Sequence, residues 1–110
     1  MIERGDIRWF RFAHPDKRRP VLVLGRPESI PSLSQIVVVP FSTTIRGLPG
    51  ELIFDERDGM AVRCTLKFEW IRAVPRDQVG AHIATFPGAR WAEVRQALLH
   101  GGGPLRQFRR

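Results

Sequence analysis

The sequence predicts a mainly β domain, a small barrel or strongly bent sheet, with one helix at its C-terminal end. Three observations lead there. At 110 residues the chain has the length of one domain. Its apolar residues fall in short runs separated by turn-forming residues, the pattern of successive strands. Only one stretch, near the end, has the spacing of an amphipathic helix.

Residues 7–12, Ile-Arg-Trp-Phe-Arg-Phe, are aromatic-rich and read as the first strand. A polar turn runs from Ala13 to Arg19. Residues 21–24, Val-Leu-Val-Leu, have no polar face, so this strand should be buried on both sides. Residues 25–34 form a loop. Residues 36–39 read as a second fully buried strand, with Pro40 marking its end or a bulge. Residues 42–50 are polar and rich in Gly and Pro, an ordered loop, and residues 51–54 are a short strand candidate. Asp58-Gly59 is a hairpin-type turn signal. From Val62 to Trp70, apolar and polar residues alternate. That predicts a half-buried strand with Cys64 and Trp70 on its core face and Arg63, Thr65, Lys67 and Glu69 on its polar face. The helix is expected over 88–99, where Trp91, Val94 and Leu98 fall at i, i+3 and i+7 between Pro87 and Gly101. The domain is thus expected over 1–100, and residues 101–110 are expected to be a flexible basic tail.

Composition narrows the function. The longest apolar runs are far too short to span a bilayer, and the N-terminus has no apolar export signal. Cys64 is the single cysteine, so no internal disulfide can form, which suits a reducing cytoplasm. The net charge of +7 and pI of about 11.4 favour a polyanion, above all nucleic acid. That pointer is diluted by composition. Of 18 basic residues 16 are Arg, a ratio that genomic base content alone can produce.

No local metal motif is present. His14, His82 and His100 lie far apart, and no H-E-x-x-H or C-x-x-C spacing occurs. No Gly-rich loop opens a helix to cradle phosphates, so no cofactor is implied. Cys64 reads as a core residue rather than a nucleophile. Three polar clusters remain. Lys17-Arg18-Arg19 can grip a phosphate at a strand entrance or be a solvated turn. The hydroxyls of Ser42-Thr43-Thr44 can bind a phosphoryl oxygen or cap local backbone. Glu69, on the polar face with Lys67, is a general-base candidate or one half of a cross-strand ion pair.

The order of these clusters gives them weight. Arg4-Gly5-Asp6-Ile7-Arg8-Trp9, then Arg19-Pro20-Val21-Leu22-Val23-Leu24, then the run from Val38 to Glu51 containing Pro40-Phe41-Ser42-Thr43-Thr44-Ile45-Arg46-Gly47-Leu48-Pro49, resemble successive motifs of the MazF/PemK toxins. The resemblance continues through Leu66 to Pro75 and into the helix. It implies an SH3-like barrel of the CcdB/MazF type, a homodimer, and metal-independent cutting of single-stranded RNA to 2′,3′-cyclic phosphate and 5′-hydroxyl ends. It also implies an acidic, partly disordered cognate antitoxin and a cytoplasmic setting without a membrane. On the matching positions, Arg19 and Ser42 become the catalytic pair, with Thr43 in reserve if the register is one residue off. Glu69 becomes the acidic helper. Lys17, Arg18, Thr43, Thr44, Arg46 and Lys67 become RNA contacts. Two departures stand out: a short first loop, and Trp70 where relatives often have Gln or Asn. A CcdB-like gyrase poison and a non-catalytic SH3-like RNA-binding module are the alternative readings.

Overall fold

The computed structural model describes residues 1–13, 17–48 and 51–101. Seven strands form one strongly bent sheet: β1 (Asp6–Arg11), β2 (Arg18–Val23), β3 (Gln35–Ser42), β4 (Ile53–Phe54), β5 (Cys64–Leu66), β6 (Arg72–Pro75) and β7 (His82–Thr85). Their order is β4-β5-β3-β2-β1-β7, with β6 also paired to β3. All pairings are antiparallel. This is the mainly β fold with a C-terminal helix that the sequence predicts.

β3 holds the sheet together. One flank pairs with β2, through Val38 to Pro40. Its other pairings divide between β6, at Gln35 to Val38, and β5, at Phe41 and Ser42. Pro40 was expected to end the strand or bulge it. Instead β3 runs two residues further. Pro40 lacks an N–H, but its carbonyl accepts from the Lys67 amide at 2.9 Å, between the stretches that pair with β6 and β5. The missing donor therefore falls where the partner strand changes.

The bend also explains why two strands carry no polar face. Leu22, Val39 and Phe41 enter one core with Ile7, Phe54, Leu66, Phe86 and Val94. Their neighbours Val21, Val23, Ile36 and Val38 enter a second core with Phe10, Phe12, Ile30 and Val74. Successive side chains point to opposite faces, and both faces are covered except at Val37, which is 38% exposed where full burial was expected. Each such fully buried aliphatic or Phe side chain contributes about 1.5–3 kcal/mol. Phe41, Phe54, Phe86 and Trp91 form a row with centroid spacings of 5.6, 5.4 and 4.7 Å, tying β3 to the helix.

The helix lies where the spacing puts it. A 3₁₀ turn (Gly88–Arg90) leads into α1 (Trp91–Gln96), and a wider π turn follows (Ala97–Gly101). Val94 is the buried anchor. Arg90 braces the start. It donates to the Ile53 carbonyl at 2.7 Å and to Asp58 at 3.1 Å, pairs with Glu93 at 2.8 Å, and lies 4.0 Å from the centre of the Phe54 ring. The expected tail lies outside the described residues beyond Gly101. No described helix is long and apolar enough to cross a membrane.

Three further expectations change. The alternating stretch 62–70 is not one strand. β5 ends at Leu66, and residues Phe68–Trp70 form a 3₁₀ turn. With three residues per turn, positions i and i+2 no longer share a face. Phe68 is therefore buried, while Trp70 is turned outward and is 37% exposed rather than in the core. The expected polar face is only half exposed: Arg63 and Glu69 face outward, but Thr65 and Lys67 are buried. Asp58-Gly59 is not a two-residue hairpin. It closes a 3₁₀ turn, Glu56–Asp58, capped reciprocally by Asp55 and Asp58, with Gly59 at φ +92°. Finally, β6 and β7 are additional strands.

Candidate active-site cleft

A cleft of about 340 Å³ opens where β2 begins and β3 ends. Lys17, Arg18, Arg19, Ser42 and Thr43 all line it, together with an apolar group that includes Trp9, Pro20, Met60, Cys64 and Ile83. Strand register creates the meeting. Val21 faces Pro40 and Leu22 faces Val39. Beyond that ladder the Arg19 side chain reaches the Phe41 carbonyl, and Arg19 and Ser42 both line the cleft. Two residues well separated in the chain thus share one rim.

Arg19 is half-buried, and its Nη1 donates to the Phe41 carbonyl at 3.4 Å. Its guanidinium lies 5.2 Å from the centre of the Trp70 ring. Ser42 is only 7% exposed, and its Oγ accepts from the Thr44 amide at 3.1 Å. That bond uses an oxygen lone pair, so the hydroxyl proton remains able to donate. Thr43 is exposed beside it. The Arg18 guanidinium sits 4.2 Å from the centre of the Trp9 ring.

The remaining sequence candidates lie around the cleft rather than along its lining. The Lys67 side chain is 8% exposed, with Nζ 3.7 Å from Glu69 Oε2 and 5.5 Å from the Trp70 ring. Trp70 therefore touches both Arg19 and Lys67, and Glu69 joins this group through Lys67. Arg46 belongs to a separate feature. Glu51 accepts from the backbone amides of Arg46, Gly47 and Leu48 at 3.0, 2.8 and 3.1 Å. These bonds, the Arg46 amide first, hold the Glu51 carboxyl below its usual range. Burial pushes the Cys64 thiol up to about 11, which makes it an inert lining residue.

The opening motif is architectural. Gly5 adopts φ +92°, and a Cβ there would come within 3.3 Å of the Trp91 ring, against which Arg4 also packs. Asp6 is buried, accepts from the Glu3 amide and pairs with Arg8 at 2.8 Å. Among the described residues, no three His, Cys, Asp or Glu side chains gather as metal ligands. His14 lies outside those residues, as does the short first loop around it. Sequence reasoning missed the contribution of Trp9 and the apolar walls to the cleft. The only local signal was the aromatic-rich, Arg-containing first strand around Trp9 and the cationic run Lys17-Arg18-Arg19, which the fold brings together at Arg18 and Trp9.

The family model for the PemK-like, MazF-like toxins of type II toxin-antitoxin systems matches residues 3–100. The probable endoribonuclease MazF2 of Mycobacterium tuberculosis is 34% identical over 98 residues, covering 88% of this chain and 94% of that protein. The probable endoribonuclease MazF5 of the same organism is 44% identical over 52 residues, a match that spans about half of each chain, 47%. Among solved structures, Mycobacterium tuberculosis toxin MazF-mt6 superposes with a TM-score of 0.77 at 26% identity, covering 86% of this chain and 92% of the other. An endoribonuclease from a mycobacterial species, solved in complex with its cognate antitoxin, shares the fold at 15% identity, with a TM-score of 0.73 and 89% of each chain covered. This chain belongs to the PemK-like, MazF-like toxin family.

Proposed function

We propose that this family member is an endoribonuclease toxin that cuts single-stranded RNA at the Arg19–Ser42 rim. The observation that carries the reading is the convergence of these two side chains from facing strands, Arg19 beside the Phe41 carbonyl and Ser42 next in the chain. A guanidinium and a hydroxyl at one rim match the demands of RNA transesterification. The ribose 2′-oxygen attacks the adjacent phosphorus, the bond to the 5′ oxygen breaks, and a 2′,3′-cyclic phosphate remains. Arg19 supplies a fixed positive charge and a donor fork for the crowded phosphorane. Ser42 donates a hydrogen bond to the same phosphoryl group, with Thr43 next to it. Arg19 serves as electrostatic anchor rather than base.

The 2′ proton must pass to a base at the rim, and the departing 5′ oxygen must gain one. Glu69 is the carboxylate of the Arg19–Trp70–Lys67 group and is assigned to orient the cations or to take that proton. Lys17, Arg18, Thr44 and Arg46 extend the positive and hydroxylated surface along the bound strand, and Lys67, whose side chain is 8% exposed, adds its charge through Trp70 and Glu69. No metal enters this scheme. The acidic antitoxin of a cytoplasmic toxin pair would compete for the same positive surface, and the working unit is a homodimer.

The test uses purified protein and mixed-sequence RNA in EDTA. Cleavage to ends bearing 2′,3′-cyclic phosphate and 5′-hydroxyl is expected, and Arg19→Ala, verified as folded by its thermal melt, should lack it. No cleavage in any buffer, or full cleavage by the folded variant, defeats the reading. Inhibition of DNA supercoiling without RNA cutting would replace it with the gyrase alternative. Light scattering checks the dimer.

A further inference from the structure

Two aromatic rings flank the Arg19–Ser42 rim, and each carries a cation. Arg18 lies 4.2 Å from the ring centre of Trp9, and Arg19 lies 5.2 Å from that of Trp70. Arg18 and Arg19 are consecutive residues of β2, so their side chains leave the strand on opposite faces. The two rings therefore lie on opposite sides of β2, with the start of the strand between them. Trp70 is 37% exposed despite its size, because the 3₁₀ turn directs Phe68 inward and Trp70 outward. Trp9 is half-buried in the cleft wall, opposite Pro20 in the ladder.

A chain that crosses the Arg19–Ser42 rim would meet a flat aromatic face before it and another after it. Nucleobases are the matching ligand groups. Their π faces stack on Trp irrespective of base identity, and arginines stacked on the rings strengthen the platform while meeting the adjoining phosphates. We infer that Trp9 and Trp70 are paired base-stacking platforms, which hold the nucleotides on either side of the scissile phosphate and splay them apart across the start of β2. This rests on the single-stranded RNA reading above. It adds substrate-positioning residues to that reading. Splaying the two bases would turn the intervening ribose 2′-oxygen towards in-line geometry, where orientation counts heavily for the rate.

The experiment is a cycle between protein and RNA. The cut site is mapped first. An RNA with a 2′-deoxy ribose at that position is then bound to the protein, and binding is read by tryptophan fluorescence and by a labelled-RNA titration. Abasic nucleotides are scanned through the positions around the cut. With unaltered protein, an abasic position on each side should weaken binding about tenfold, the usual scale of one stacked base. Trp70→Ala should lose a similar factor on intact RNA and become indifferent to the abasic nucleotide on one side. Trp70→Phe should keep the coupling. Trp9→Ala should behave likewise for the other side. Trp9→Leu is run beside it, and the scan on unaltered protein tests the idea if neither Trp9 variant folds.

Losses that are equal on intact and abasic RNA overturn the proposal, as does binding of intact RNA that is unchanged in the Trp variants. Either result would leave the rings as mere supports for the arginines. If unaltered protein binds RNA without cutting it, mixed-sequence RNA replaces the mapped site; the cutting reading then fails while the cycle still decides on stacking. If it neither binds nor cuts, both fall.

Discussion

The segment from Val38 to Glu51 is the longest family-like stretch in the chain, yet its two halves do different work. The first half ends β3 and builds the rim, with the Phe41 carbonyl against Arg19 and Ser42 facing the cleft. The second half curls back on itself. Among the described residues, three of its backbone amides are bonded to the Glu51 carboxylate. A motif of this kind records two separate requirements, a reaction geometry and a loop that keeps its own shape. Reading every polar residue in it as chemistry would overcount the site. Glu51 shows the point, since its carboxylate is taken up by the loop's own amides.

Substitutions can separate the halves. The largest effect is expected in the first. Arg19→Ala should lower kcat/KM for RNA by about 10²–10³, the scale of removing one preorganised transition-state donor, with the melting temperature little changed. Ser42→Ala should cost about 10-fold or more through the same loss of donation, and Thr43→Ala less. A larger effect at Thr43 than at Ser42 would shift the catalytic register by one residue.

The second half should respond in shape rather than rate. Glu51→Gln should speed hydrogen exchange at the amides of Arg46, Gly47 and Leu48 and leave kcat close to its original value. A collapse in kcat would show that the loop serves the reaction directly. The smallest effect is a pH dependence. Because the Glu51 carboxyl is held below its usual range, loop protection should be complete above the ordinary carboxylate pKa. It should fade as pH falls through the lowered folded-state value. Protection that instead declines as pH rises would contradict the carboxylate tie.

The same contrast shows what the sequence could reveal. Val21–Val23 was legible because two-sided burial leaves an unbroken apolar run, and Ile36–Val39 carries the same run although its Val37 is exposed. Arg19 and Ser42 were legible because each adjoins such a run, although only their order and family resemblance paired them. β6 and β7 gave little signal. Val74 is the single buried residue of β6, and β7 has none. The position of Trp70 was misread because alternation assumes a continuing strand, and nothing in Lys67-Phe68-Glu69-Trp70 marks the change to a 3₁₀ turn. Pro40 was misread because its tolerance depends on which neighbour needs a donor, a property of the assembled sheet. Trp9 and the apolar cleft walls come from five separate parts of the chain, and no local window joins them.

The pairing of β1 with β7 sets the order in which this protein can become functional. Trp9 of β1 and Ile83 of β7 both line the cleft, so it closes only when the two ends of the domain meet. Such long-range pairing slows folding, because chain entropy is lost before the contacts reward it. The β2–β3 hairpin, which holds Arg19 and Ser42, can form much earlier. During synthesis the reactive pair would thus exist before its cleft does, and a ribosome-held chain lacking β7 is expected to be inactive. Stalled chains released at successive lengths and assayed on RNA would show activity only after residues 82–85 have emerged.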